Sequence, residues 1–103
     1  MAAVIKRYPT NTTTGAKEAV AMPGPVHKYG VQLKGVGAAP TSWTLTLEGS
    51  LDGVNFSTLI THNAGDGSTQ WTTEKPCLYV RANLSALSLG SATSVDISFV
   101  ATS

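Results

Sequence analysis

The groups through which this 103-residue chain could do chemistry are six acids, two histidines and one cysteine. Glu48, Asp52 and Asn55 crowd together in EGSLDGVN, a spacing that offers oxygen ligands to a cation. Calcium takes roughly six to eight oxygens, more than this run supplies. Asp52-Gly53 lies between two apolar alternations, where both positions tolerate positive φ and suit a hairpin turn. Asn55 can bond its own turn backbone, and Glu48 then faces water from its strand. Turn chemistry is therefore the expected role, and Asp66-Gly67 in NAGDGST receives the same reading. Cys77 has no partner for an intrachain disulfide and, at the start of a strand in KPCLYV, reads as a small core residue. His27 follows a Pro-rich turn and His62 ends a strand, and their spacing nominates neither. Gly35 and Gly37 precede a proline and a strand, so they cradle no phosphate. The GxSxG, HExxH and CxxC patterns are missing from the sequence. The expectation is a protein that is not an enzyme and carries no cofactor and no metal.

The elements that position these groups read as strands. HKYGVQLKGVG sets Tyr29, Val31 and Leu33 against Lys28, Gln32 and Lys34. SWTLTLEGS sets Trp43, Leu45 and Leu47 against Thr44, Thr46 and Glu48. SVDISFVA sets Val95, Ile97 and Phe99 against Asp96 and Ser98. Period two with one wet face is the antiparallel strand signal. VNFSTLITH is less regular, QWTTE is short, and CLYVRANL places Leu78, Val80 and Ala82 on its apolar side. Turn-forming loops separate these runs, and no helical period appears. The expected fold is all-β, an antiparallel β-sandwich or jelly-roll-like domain over residues 26–103. Residues 1–25 are polar, Thr-rich and broken by Pro9, Pro23 and Pro25. They read as an extended N-terminal arm or edge segment, with one short strand in AKEAVAM that puts Val20 and Met22 on one face.

Composition narrows the function classes. Net charge is +1, from seven Lys/Arg against six Asp/Glu, which gives no electrostatic case for nucleic acid or an anionic membrane. No run approaches the ~20 apolar residues of a spanning helix, and MAAVIKRYP has no basic start followed by an apolar run. Charged residues make up 13% of the chain, low beside a usual ~25%. So little surface charge protects poorly against self-association. Sequons at Asn11, Asn55 and Asn83 are expected by composition in a chain with 24 Ser and Thr residues.

Trp43 points inward. Trp71 follows a turn, where an exposed indole would stack on a sugar or anchor an interface, while packing at the sandwich rim is the plainer reading. The sugar-binding alternative takes Trp71 with Asp66 and its loop as the candidate site.

TSWTLTLEGSLDGVNFSTLITH, AGDGSTQW and LYVRANLSALSLGSATSVDISFVA together resemble small β-sandwich virion proteins of tailed bacteriophages, over residues 26 to 101. The same turn and YVR wording also look like discoidin-type jelly rolls, which bind sugars or lipids. The first resemblance implies a capsid decoration (cement) protein on the outer surface of the head. It implies self-association as a homotrimer and the major capsid protein as partner. In that reading Val4, Ile5, Tyr8, Val20 and Met22 are the contacts of an arm that orders on the shell or on a neighbouring copy. A minor tail or neck protein, or a glycan-binding module of the host-recognition apparatus, is the alternative. The resemblance carries over no catalytic residue.

Overall fold

The apolar alternations form strands, and the strands form one continuous antiparallel sheet that bends back on itself. A computed structural model describes residues 3–103. It contains β1 (Ala3–Asn11), β2 (Gly15–Ala16), β3 (Val20–Val36), β4 (Ser42–Ser50), β5 (Ser57–His62), β6 (Thr69–Ser88) and β7 (Ser94–Thr102). Neighbours run β1-β7-β3-β6-β4-β5, with β2 beside β6. The fold is all-β and an antiparallel sandwich, as the alternations require.

Two long strands make the sandwich. β3 pairs with β7 through residues 28–36 and with β6 through residues 20–32. β6 pairs with β3 through residues 69–80 and with β4 through residues 79–88. One layer is therefore β1, β7, the second half of β3 and the first half of β6. The other is β5, β4, the second half of β6, then β2 and the start of β3. The β3–β6 ribbon crosses between the layers at a corner. There the register slips between Ala21 and Val26 and again between Val26 and Lys28. Pro23, Pro25 and Pro76 sit at this corner, where a missing N–H and a fixed φ cost little because the ladder is already interrupted.

The corner explains the departures from the sequence reading. AKEAVAM and HKYGVQLKGVG, separated on paper by PGP, continue as the single strand β3, and QWTTE runs on into CLYVRANL as β6. Crossing the corner changes which parity faces inward. Met22 and Val26 are buried on the first half of β3, Tyr29, Val31 and Leu33 on the second. The same slip turns Leu78, expected inside, to 37% exposure, while Val80, Ala82 and Leu84 are buried.

Residues 3–25 lie within the sheet. β1 is an edge strand paired with β7 from Ala3↔Thr102 to Asn11↔Val95, and the expected division at residue 25 falls inside β3. Tyr8 and Met22 are buried in the core, with Val4 and Val20 packed against it. The Tyr8 hydroxyl donates to the Glu18 carbonyl, and its ring lies 6.1 Å from that of Phe99. Of the arm and the edge segment expected for residues 1–25, the described residues form the edge segment: no arm reaches away from the domain, and the apolar side chains of these strands close its core. Burial of each such side chain is worth about 1.5–3 kcal/mol, enough to hold the segment down. Of the expected arm contacts only Ile5 faces solvent. Ala2, also assigned to the arm, lies outside the described residues.

Candidate functional site

The polar residues around the two Asp-Gly loops are consumed by turns and ladders. Asp52 Oδ1 accepts the backbone N–H groups of Val54 and Asn55, both at 2.8 Å, and the Ser50 hydroxyl at 2.9 Å. Its Oδ2 accepts the Asn55 side-chain amide at 2.8 Å. These donors, led by the Asn55 and Val54 backbone, hold the Asp52 carboxyl far below the usual carboxylate range. Glu48 turns the other way. It accepts Arg81 Nε at 2.8 Å and Asn83 Nδ2 at 3.3 Å across the β4–β6 ladder, and Arg81 also stacks 3.9 Å from the Phe56 ring. Glu48 and Asp52 therefore do not converge.

Asp66 pins its loop to β3. Oδ2 pairs with Lys34 Nζ at 2.7 Å and Oδ1 accepts the Gly35 N–H at 2.6 Å, which together lower its pKa. Gly67, at φ 75°, donates to the Leu33 carbonyl. Cys77 is buried with Sγ 3.0 Å from the Tyr29 hydroxyl. That contact and burial raise the tyrosine pKa, burial being the larger cause. His62 is buried against the edge of Trp43, with Nε2 2.9 Å from the Ser68 carbonyl. Among the described residues no group of three or more His, Cys, Asp or Glu gathers as metal ligands.

What remains available is a sheet face. On the outer side of the β1-β7-β3-β6 layer, Ile5 pairs with Val100, Val100 with Gly30, and Gly30 with Trp71. Period two brings these four to the same side, so they form one apolar row across four strands, about 15 Å long from the usual strand spacing. Ile5 is 75% exposed and Trp71 65% exposed, one at each end. The absence of a side chain at Gly30 lets the Trp71 indole lie over the middle of the row, where a β-carbon at residue 30 would collide with the ring. A shallow groove between the two ends is rimmed by Gln32, Thr69 and Ser98. In the row on one side Arg7, Ser98, Gln32 and Thr69 align, and on the other Lys28 lies between Thr102 and Thr73. Such a surface can bind apolar or hydroxyl-rich partners; it holds no paired acid and base for proton transfer.

No protein-family model matches the chain, and no curated protein matches it. Among solved structures it is similar to the SPBc2 prophage-derived protein YomS, at 13% identity and a TM-score of 0.49, over 98% of this chain and 95% of that one. It is also similar to a chain of the Bacillus endospore appendages described as disulfide-linked pili. There the identity is 16% and the TM-score 0.48, over 98% of this chain and 84% of that one.

Trp71 and Asp66, joined on paper as one sugar site, are held apart. Trp71 pairs at Gly30, whereas Asp66 binds at Lys34 and Gly35, about 13 Å further along β3 at the usual strand rise. Ile5 belongs to the exposed row with Trp71. Its pairing with Val100, and theirs with Gly30, was invisible in sequence. The signal that was present is the parity of SFVA and KYGV, which puts Val100 and Gly30 opposite the core-facing residues.

Proposed function

We propose that this chain is a bacteriophage virion structural protein, acting as a capsid decoration (cement) protein on the outer face of the head. The observation that carries this reading is the apolar row from Ile5 to Trp71, displayed on a rigid sheet face of a domain whose acidic turn residues are already engaged. The resemblance of residues 26–101 to small virion proteins of tailed phages supports the same class. The work of such a protein is mechanical. Each copy lays its apolar row against capsid subunits and against other copies, bridging capsomers. Removing Ile5 and Trp71 from water supplies about 1.5–3 kcal/mol apiece. No proton transfer, cofactor or metal is needed.

The test is co-sedimentation of the purified protein with empty procapsids and with expanded heads. Binding to expanded heads that is lost in Trp71→Ala is the expected result. No binding to either particle by a folded protein would remove the proposal.

The exposure of Trp71 also favours a second reading, a carbohydrate-binding module in which the indole stacks on a sugar face. A glycan array, followed by titration of Trp71 fluorescence, separates the two.

A further inference from the structure

We propose that copies of this chain join head to tail, the open edge of β1 in one copy pairing antiparallel with the open edge of β6 residues 69–73 in the next. This rests on the reading above that the protein works as an assembled part, and it names the surfaces that assemble.

Both edges belong to the same layer. β1 pairs with β7 alone, and residues 69–73 of β6 pair with β3 alone, so among the described residues each presents a row of backbone groups with no strand beside it, interrupted in β1 at Pro9. β1, β7, β3 and β6 each run antiparallel to the next, so β1 and β6 run in opposite directions. A second copy's β1 set against β6 therefore continues the layer without reversing its core face. The other layer offers no such match. It ends in six-residue β5 on one side and in two-residue β2 with the start of β3 on the other.

The side chains select the partner. Residues 69–73, Thr-Gln-Trp-Thr-Thr, carry no charge and no proline, and all but Thr72 are exposed. Solitary proteins guard long edges with charge, proline or a bulge; residues 69–73 have none of these, and such guards begin only at Glu74, Lys75 and Pro76, where the corner starts. β1 carries Lys6 and Arg7. Two β1 edges brought together would oppose like charges, which destabilises a ladder. Residues 69–73 of β6 present no such repulsion, and the Glu74 and Lys75 that follow carry opposite charges that cancel. Ile5 and Trp71 stand at opposite ends of the apolar row, so head-to-tail pairing sets the Trp71 end of one row beside the Ile5 end of the next. The rows then join into one apolar band on one face of the assembly. A contact of this kind uses two different patches and closes into a ring, or runs on as a filament where it does not close.

The experiment uses single cysteines in a Cys77→Ala background, one chain with Arg7→Cys and another with Thr69→Cys. These positions lie one outer-face step from Ile5 and Trp71 and leave both in place. Under mild oxidation the mixture is expected to give cross-linked pairs of unlike chains, and neither chain alone any. Cross-links only between like chains, or a wild-type protein that stays monomeric by light scattering, would overturn the inference. Ile5→Lys changes an exposed residue and should leave the circular dichroism spectrum intact while weakening self-association by about tenfold or more. Unchanged self-association would count against the β1 edge. Head binding is scored separately. A monomer that binds expanded heads sinks this inference alone, and a cross-linking assembly that binds no head sinks the decoration reading alone.

Discussion

The Trp71 indole occupies the space where a side chain at Gly30 would begin, and the three heavy atoms nearest that point all belong to its ring. The exposed end of the apolar row is thus positioned by the residue that lacks a side chain. Gly30→Ala should either lift the indole off the sheet or cost about 1–3 kcal/mol by overpacking. Urea unfolding and near-ultraviolet circular dichroism report the two outcomes. In a Trp71→Ala background the same substitution should lose its penalty, since the colliding group is gone. An equal cost in both backgrounds would show that the indole lies elsewhere.

The two tryptophans should behave oppositely. Trp43 is buried against His62, whereas Trp71 is 65% exposed. Trp43→Ala is expected to cost about 3–5 kcal/mol in unfolding free energy. Trp71→Ala should stay within about 1 kcal/mol of the parent and act on association instead. Denaturant titration beside light scattering separates the two effects.

Thr10 holds φ at 57° where β1 breaks register before Asn11, with its N–H bonded to Asp96 Oδ1 at 2.8 Å. A β-branched residue in the left-handed region is strained by about 1–2 kcal/mol. Asn11, whose amide bonds the Tyr8 and Val95 carbonyls, keeps the kink in place. Thr10→Gly keeps the N–H and relieves the strain, so stability should rise by about 1 kcal/mol, less the entropy that glycine adds to the unfolded chain. A drop in the denaturation midpoint would contradict this.

Asp66 supplies a pH-dependent part of stability. The Lys34 ammonium and then the Gly35 N–H hold its carboxyl below the ordinary value. A folded-state pKa below the unfolded one contributes stability that is complete above about pH 4 and lost as pH falls through the folded value. Carboxyl titration by NMR should place the Asp66 midpoint below that of a model aspartate, and Lys34→Gln should move it upward. Asp66→Asn should flatten the acid limb of the stability curve. A midpoint unmoved by Lys34→Gln would remove the ion pair from the account.

Arg81 ties Glu48 to Phe56 on the outer face of the second layer, with guanidinium and carboxylate partly shielded from solvent. A double-mutant cycle on Arg81→Ala and Glu48→Ala should give a coupling of at most about 1 kcal/mol, as for other partly exposed pairs. A markedly larger value would point to a network reaching beyond these two side chains.

The sequence by itself determined the strands and their inward faces wherever period two ran unbroken. Trp43, Leu45 and Leu47, or Val95, Ile97 and Phe99, needed only the parity of the pleat to be placed. It also determined the turns, because Asp52 and Asp66 bond backbone within their own loop or to the strand beside it. Only the tertiary structure decided how β3 and β6 pass from one layer to the other. A corner changes parity without leaving the extended conformation, so proline and a register slip look like a strand's end. The same holds for residues 3–25, whose apolar side chains are too few to fold alone and find burial only against β7 and β6. The exposed row was decided there as well. Ile5, Gly30, Trp71 and Val100 are remote in sequence, and cross-strand register, set by long-range pairing, is what makes them neighbours.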